Sequence, residues 1–347
     1  MLIGTDRNIF TNGSLVQRRI ARLGSEYLKG LDSIVFSMRG HNIKGPQELA
    51  PAVHAHPTNS RSRFFYGCDA IRIAKRLPRP DIVSAQDPFE TGLVALRIAR
   101  HFKVPLSVEV HTDFISPSFA RSSFLNHLRV MAAGYVLRRA NRIYVVSERV
   151  KEKIQEKYNL AVPISVLPIY TDTKRFSAVK HSQHPKFKTA LLWVGRFEKE
   201  KNPILALRAL AYARGKGYDA GLTFVGSGRL EKILKKQTHK LDLDEYVEFV
   251  GWVQDLASYY ANADILLVTS EYEGYGMALV EALSAGVPVL STGVGIAQEA
   301  GAFIADNNYC QSLIVWLEGD RAQGRLKLHS YMSEDEYMAA VKAYYTQ

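Results

Sequence analysis

Cysteine is nearly absent: Cys68 and Cys310 are the two among 347 residues, far apart and without metal or redox spacing. A disulfide framework and a cysteine-rich zinc site are thereby excluded, and both thiols read as buried or incidental. No apolar run reaches the about 18 to 20 residues that a membrane span requires. Residues 1–10 are too short and too lightly flanked for a signal peptide, so the expectation is a cytoplasmic protein, peripheral to a membrane at most. Solenoid-length repeats and low-complexity tracts are also missing. Acidic residues are scarce in one half: residues 1–170 carry 25 Lys+Arg against 13 Asp+Glu, and residues 171–347 carry 20 against 21. The formal net charge of +11 therefore lies wholly in the first half. Nucleic acid, an anionic membrane surface or another anionic partner would each fit such a field.

What is present is the mixture of a folded protein, 47% hydrophobic and 23% charged, with length for two domains. Short β-rich runs alternate with helical patterns throughout, as in parallel sheets built from βαβ units. Strands are predicted at 33–38, 81–86, 104–111, 142–147 and 164–168, then at 189–194, 222–226, 247–251, 264–269 and 287–291. Several are continuous Val/Ile/Leu runs, as strands covered on both faces require. The predicted organisation is an N-terminal domain over 1–170, a linker over 171–187, a second domain over 188–330, and a helix within 331–347 whose return to the first domain the sequence leaves open. The fold class is α/β, two doubly wound Rossmann-like domains facing a central cleft, with ligand sites beyond the strand C-termini.

The densest motif runs from Ser270 to Val289, with Glu273-Gly274-Tyr275-Gly276-Met277 following a strand and a helix over 277–285. Gly274 and Gly276 let backbone approach a ligand, and the helix N-terminus offers amides to an anion such as a diphosphate. Glu273 and Glu281 each suit a vicinal diol, although a surface-loop glutamate and a helix ion pair fit the same pattern. In Gly195-Arg196-Phe197-Glu198-Lys199-Glu200-Lys201, Arg196 supplies a fork for phosphate oxygens and Lys201 a point charge. Lys199 reads as a solvated charge. Asp242-Leu243-Asp244 has the form of a metal-diphosphate triplet but sits in a polar stretch before a strand, where a cap or turn is expected. No carboxylate or histidine cluster has metal-ligand spacing, so no metal and no other cofactor is predicted.

These segments resemble the signature of the retaining GT-B glycosyltransferases, family four (glycosyl transferases group 1), in which two glutamates seven positions apart flank a Glu-Gly-aromatic-Gly segment. The resemblance covers about residues 80–305. It implies that Glu273 holds the transferred sugar, Glu281 the nucleotide ribose, and Arg196 and Lys201 the leaving diphosphate. It also implies donor contacts at Gly13, Gly195, Gly226, Gly274, Tyr275, Gly276 and Met277, base reading near Val253, and a sugar contact at His111. The partners implied are a nucleotide sugar and a glycan or lipid-linked acceptor, with no nucleic acid. Two departures concern the first half: Pro168 is followed by Ile169-Tyr170 where the family carries Asn-Gly, and Asn12-Gly13-Ser14 stands where it carries paired glycines. A sugar epimerase of similar fold would share the nucleotide site. A glycoside hydrolase would leave Arg196 and Lys201 unexplained, and a nucleic-acid module would need an aromatic platform that is missing. Residues 114–142, rich in apolar residues and in Arg121, Arg129, Arg138, Arg139 and Arg142, read as a basic amphipathic helix at an anionic membrane face or as a core helix with a solvated basic side.

Overall fold

The computed structural model describes residues 1–320, 322–328 and 333–346. The chain divides into two compact units, one of Met1–Pro168 with the C-terminal helix Glu334–Thr346, the other of Ile169–Ser333.

The first unit holds β1 (Leu2–Gly4), β2 (Leu31–Val35), β3 (Gln47–Ala50), β4 (Val53–Pro57), β5 (Val83–Ala85), β6 (Leu106–Val110), β7 (Arg142–Val145) and β8 (Ile164–Val166). They form one sheet in the order β3-β4-β2-β1-β5-β6-β7-β8. All neighbours are parallel except the edge pair β3 and β4. Sequence order reverses between β1 and β5, so the loops beyond those strand ends flank the topological switch point. All five residues of β6 are buried, as a strand covered on both faces requires.

Helix Glu334–Thr346 is part of this unit. Tyr344 Oη and Ser107 Oγ are 2.8 Å apart, and the Arg142 guanidinium donates to the Tyr344 and Tyr345 carbonyls at 2.9 and 3.0 Å. Those carbonyls belong to the last turn and lack intrahelical donors, so Arg142 caps the helix C-terminus. Arg142 thus lies at the start of β7, as the predicted strand 142–147 has it, and not in the basic helix that the reading of 114–142 extended to it. That reading is corrected further: residues 114–142 contain two helices, Pro117–Arg121 and Phe124–Leu137. The break falls at Ser123, whose hydroxyl accepts from the Asn126 N–H at 3.1 Å as the N-cap of the second helix.

The second unit holds β9 (Thr189–Val194), β10 (Ala220–Val225), β11 (Val247–Gly251), β12 (Ile265–Val268), β13 (Val289–Ser291) and β14 (Phe303–Ile304), all parallel, in the order β11-β10-β9-β12-β13-β14. This is the 3-2-1-4-5-6 order of a doubly wound nucleotide-binding sheet, with its switch point between β9 and β12. Helix Pro203–Gly215 buries Ala206, Leu207, Ala209, Leu210 and Ala213, a helical stripe that packs with Leu222 and Phe224 of β10 and Leu313 and Leu317 of helix Tyr309–Glu318. Each leucine contributes about 1.5 to 3 kcal/mol by leaving water.

The stretch read as a linker, 171–187, belongs to this second unit. It contains a short helix, Thr173–Ser177, whose Phe176 is buried edge-on against Tyr260. His181 Nε2 lies 2.6 Å from the Ala285 carbonyl. Polar composition hid this packing because a few anchors, not a periodic face, hold the segment down. Of the two thiols, read as buried or incidental, Cys68 is exposed and Cys310 is half-buried.

Candidate functional site

The loops after β9 and β12 flank the switch point, and they bring Lys201 and Glu273 together. β9 ends at Val194, and a single turn, Lys199–Lys201, leads through Asn202 into Pro203, the first residue of the next helix. The Trp193 indole donates to Thr269 Oγ1 at 2.9 Å, and that hydroxyl donates to the Lys201 carbonyl at 2.9 Å. The Glu271 N–H donates to the Glu200 carbonyl at 2.8 Å. With both backbones so fixed, the Lys201 ammonium pairs directly with the Glu273 carboxylate, to which Ser270 Oγ also donates at 2.8 Å. Both side chains keep partial access to solvent.

Neighbouring loops are braced to this pair. Gly226 has φ +141°, and a Cβ there would stand 1.9 Å from the Gly195 carbonyl oxygen, so only glycine lets the loops after β9 and β10 touch. The Tyr275 carbonyl accepts from the Ile296 N–H at 2.9 Å, tying the Glu273 loop to the turn after β13. Gly276, at φ +107°, is the N-cap of helix Met277–Ser284, and no side chain caps that start. The helix therefore presents its positive end three positions after Glu273, with Met277 exposed. Val253 follows β11 on the same side of the sheet, half-buried.

Glu281 lies one helical turn further on. Its Oε2 accepts from the hydroxyl of the fully buried Tyr260 at 2.8 Å. Burial pushes the Glu281 carboxyl up to about 7, with the Tyr260 hydrogen bond and the Arg175 charge opposing that rise. Arg196 is set apart: its exposed guanidinium pairs with Glu200 at 3.0 Å, a surface contact of little strength. The Asp242–Asp244 triplet forms the expected turn, with Asp242 at φ +53° and Asp244 Oδ2 3.1 Å from His239 Nδ1. Among the described residues no three His, Cys, Asp or Glu side chains are grouped as metal ligands.

In the first unit His111 follows β6, at the strand's C-terminal end. Its Nε2 lies 3.0 Å from Oε2 of buried Glu109, and its ring stands edge-on to Tyr144. Glu109 is held from every side: Tyr144 Oη donates to Oε2 at 2.6 Å, and Tyr345 Oη and Ser84 Oγ donate to Oε1 at 2.8 and 3.0 Å. Burial raises the Glu109 pKa, but the His111 hydrogen bond and charge and the two tyrosine hydroxyls outweigh it and hold the carboxyl below its ordinary value. The sequence reading missed Glu109, and its place two residues before His111 on one strand was the available signal. Gly13 stands before helix Leu15–Arg22, where Ser14 Oγ accepts from the Gln17 N–H at 3.0 Å and Gln17 Oε1 accepts from the Gly13 N–H at 2.9 Å. The helix start beside Gly13, expected to contact the donor, is thus partly capped by its own side chains.

Two α/β units with parallel sheets of these orders define the GT-B glycosyltransferase fold. Sucrose-phosphate synthase from Thermosynechococcus elongatus superposes with a TM-score of 0.80 at 17% identity, over 99% of this chain and 98% of that one. HepE of Anabaena, solved in complex with UDP, gives 0.66 at 15% identity, over 99% and 94%. Residues 16–175 match the family model Glycosyltransferase Family 4, and residues 175–306 match Glycosyl transferases group 1. The chain belongs to glycosyltransferase family four. It is 26% identical over 259 residues to the alpha-monoglucosyldiacylglycerol synthase of Streptococcus pneumoniae, covering 67% of this chain and 56% of that protein. It is 28% identical over 228 residues to glycogen synthase of Mycobacterium tuberculosis, covering 64% and 54%. The chain spans about half the length of these curated relatives.

Proposed function

We propose that this protein transfers a glycosyl unit from a nucleoside diphosphate sugar to a hydroxyl of a glycan or lipid-linked acceptor, with retention at the anomeric carbon and without a divalent metal. The observation that carries the reading is the Lys201–Glu273 pair at the switch point of the second sheet, where such sheets bind nucleotides. On this reading the donor binds by exchange: diphosphate oxygens take Lys201 from Glu273 and leave the carboxylate to the sugar hydroxyls. Arg196, released from its weak surface pair, and the start of helix Met277–Ser284 add positive potential at the departing diphosphate. Glu281 accepts from the ribose, and Val253 lies near the base. No side chain is positioned as a covalent nucleophile, and the donor phosphate assists deprotonation of the acceptor, as family membership implies.

The names of the relatives, a glycolipid synthase and a glycogen synthase, support this acceptor class. A lipid-linked acceptor at the cytoplasmic face of a membrane is favoured by helix Phe124–Leu137. Phe124, Leu128, Met131 and Tyr135 recur at helical spacing and are all exposed, with Leu125 beside them and Arg138 and Arg139 at the far end. No described helix is long and apolar enough to cross a membrane, so attachment would be by this face. A thermal-shift panel of UDP-, GDP- and ADP-sugars tests the donor assignment. A ligand at 100 times its Kd stabilises by about 2.7 kcal/mol, and no shift with any of the three would sink it.

A further inference from the structure

The loops after β1 and β2 enclose a pocket of about 550 Å³ lined by Arg7, Thr11, His41, Asn42, Lys44 and Gln47 among others, with no carboxylate in its wall. These strands are neighbours, with Gly4 opposite Val35, so the pocket lies beyond the C-terminal ends of the first sheet. In its wall Arg7 Nη1 is 2.9 Å from His41 Nε2 and 3.3 Å from Nδ1, set against the ring. The imidazole is fixed on its other side, because the Met38 N–H donates to Nδ1 at 2.9 Å. A neutral imidazole has one ring proton, so an accepting Nδ1 puts that proton on Nε2. The guanidinium beside it can only donate, so it offers the Nε2–H no acceptor. Moving the proton to Nδ1 transfers the conflict to Met38, and a second proton creates both.

An acceptor oxygen satisfies both groups, and the charges of Arg7, Lys44 and Arg63 favour an anionic one. Partial desolvation, followed by the charges of Arg7 and Arg63, lowers the His41 pKa, in keeping with an uncompensated positive field. We propose that this pocket binds an oxyanion, a phosphate ester or carboxylate carried by the acceptor, through Arg7, His41 and Lys44. An oxygen that accepts from both Arg7 and His41 joins two adjacent donors in a clamp, and charge-assisted bonds of this kind are about twice as strong as neutral ones. The identification of the ligand as the acceptor rests on the donor reading of the second unit, which leaves the strand ends of the first to the other substrate.

The test uses the full chain without nucleotide sugar. The ¹⁵N-histidine NMR signal of His41, assigned by its loss in His41→Gln, is followed as inorganic phosphate or acetate is added. A saturable shift is expected, with Kd raised at least tenfold in Arg7→Gln and also in Lys44→Gln, whose exposed side chain makes misfolding no explanation. No saturable shift, or equal Kd in all three proteins, would overturn the proposal. Competition by glycerol 3-phosphate assigns the oxyanion to a soluble ester, and Arg7-dependent competition by phosphatidylglycerol vesicles alone assigns it to a lipid headgroup. Nucleotide-sugar thermal shifts on the same samples separate the two readings: phosphate binding without nucleotide stabilisation leaves the pocket standing and removes the donor assignment.

Discussion

His111 Nε2 and Glu109 Oε2 lie 3.0 Å apart at the end of β6, and the carboxylate that orients the histidine is itself held by Tyr345 at 2.8 Å, from a helix 236 residues further along the chain. Glu109 has a folded-state pKa below its ordinary 4.5, so its contribution is fully present above that value and is lost as pH falls through the folded-state pKa. Glu109→Gln should destabilise by about 3 kcal/mol at neutral pH, since it strands donors around a neutral amide. The variant should also lose less stability than wild type between pH 5 and pH 3. Parallel melting curves by circular dichroism across that range check this, and identical pH slopes would disprove it.

Glu281 has the opposite sign. Its carboxyl titrates near 7 in the fold against an ordinary 4.5, so stability falls as pH rises from about 4.5 through about 7 and the buried group ionises. Glu281→Gln should raise the melting temperature more at pH 8 than at pH 5. Ribose hydroxyls need the ionised carboxylate, so donor affinity should rise about tenfold from pH 6 to pH 8 as the competent fraction grows. Calorimetric titration at both pH values should find that rise in wild type and a flat, weaker affinity in the glutamine variant.

Lys201→Ala removes the cation assigned to the leaving diphosphate and leaves Glu273 without its partner. Turnover should fall roughly 10²- to 10³-fold, the usual loss for one preorganised stabiliser, with the fold intact because both ends of the pair are partly solvated. Turnover within threefold of wild type would refute the role. In the same assay EDTA should leave the wild-type rate unchanged. Loss of activity restored by manganese or magnesium would establish a metal requirement.

Helix Phe124–Leu137 makes a prediction about location. Replacing Phe124, Leu128 and Met131 with Ser should reduce cosedimentation with anionic vesicles at least tenfold while leaving the melting temperature within a few degrees, since exposed apolar groups contribute little to the fold. Arg138→Gln with Arg139→Gln should act similarly and make binding less salt-sensitive, each charge being worth about 1 kcal/mol at such a surface. Arg129→Gln should matter less, because that guanidinium is engaged by Glu90 at 2.8 Å. Binding indifferent to lipid charge and to the serine changes would favour a soluble acceptor.

Much of the second unit was legible in the sequence because its signals are local. The run Thr189–Val194 and the segment Val247–Gly251 have the predicted bounds, and helix Met277–Ser284 starts where glycine and the loop motif placed it. β1 was missed because it is three residues long, and β3 and β4 because Glu48, His54 and His56 break the apolar pattern at the sheet edge. Lys201 and Glu273 were each recognisable, but their pairing spans 72 positions and depends on the sheet order. Tyr260 on Glu281, and Ser84, Tyr144 and Tyr345 on Glu109, carry no sequence signal, since nothing in a tyrosine's neighbours announces which carboxylate it will meet.

The C-terminal helix has a bearing on how the chain comes off the ribosome. Residues Ile169–Ser333 form their unit as one contiguous stretch, whereas the first unit is closed by Glu334–Thr346, a helix that emerges after the whole of the second. Until then Ser107 and Arg142 lack their partners on that helix, and Glu109 lacks the Tyr345 hydroxyl. The half synthesised first is therefore the half completed last, reversing the usual N-to-C order of domain folding. A chain shortened to end before residue 334 would keep every strand of the second unit and leave Glu109, the carboxylate that orients His111, short of one donor.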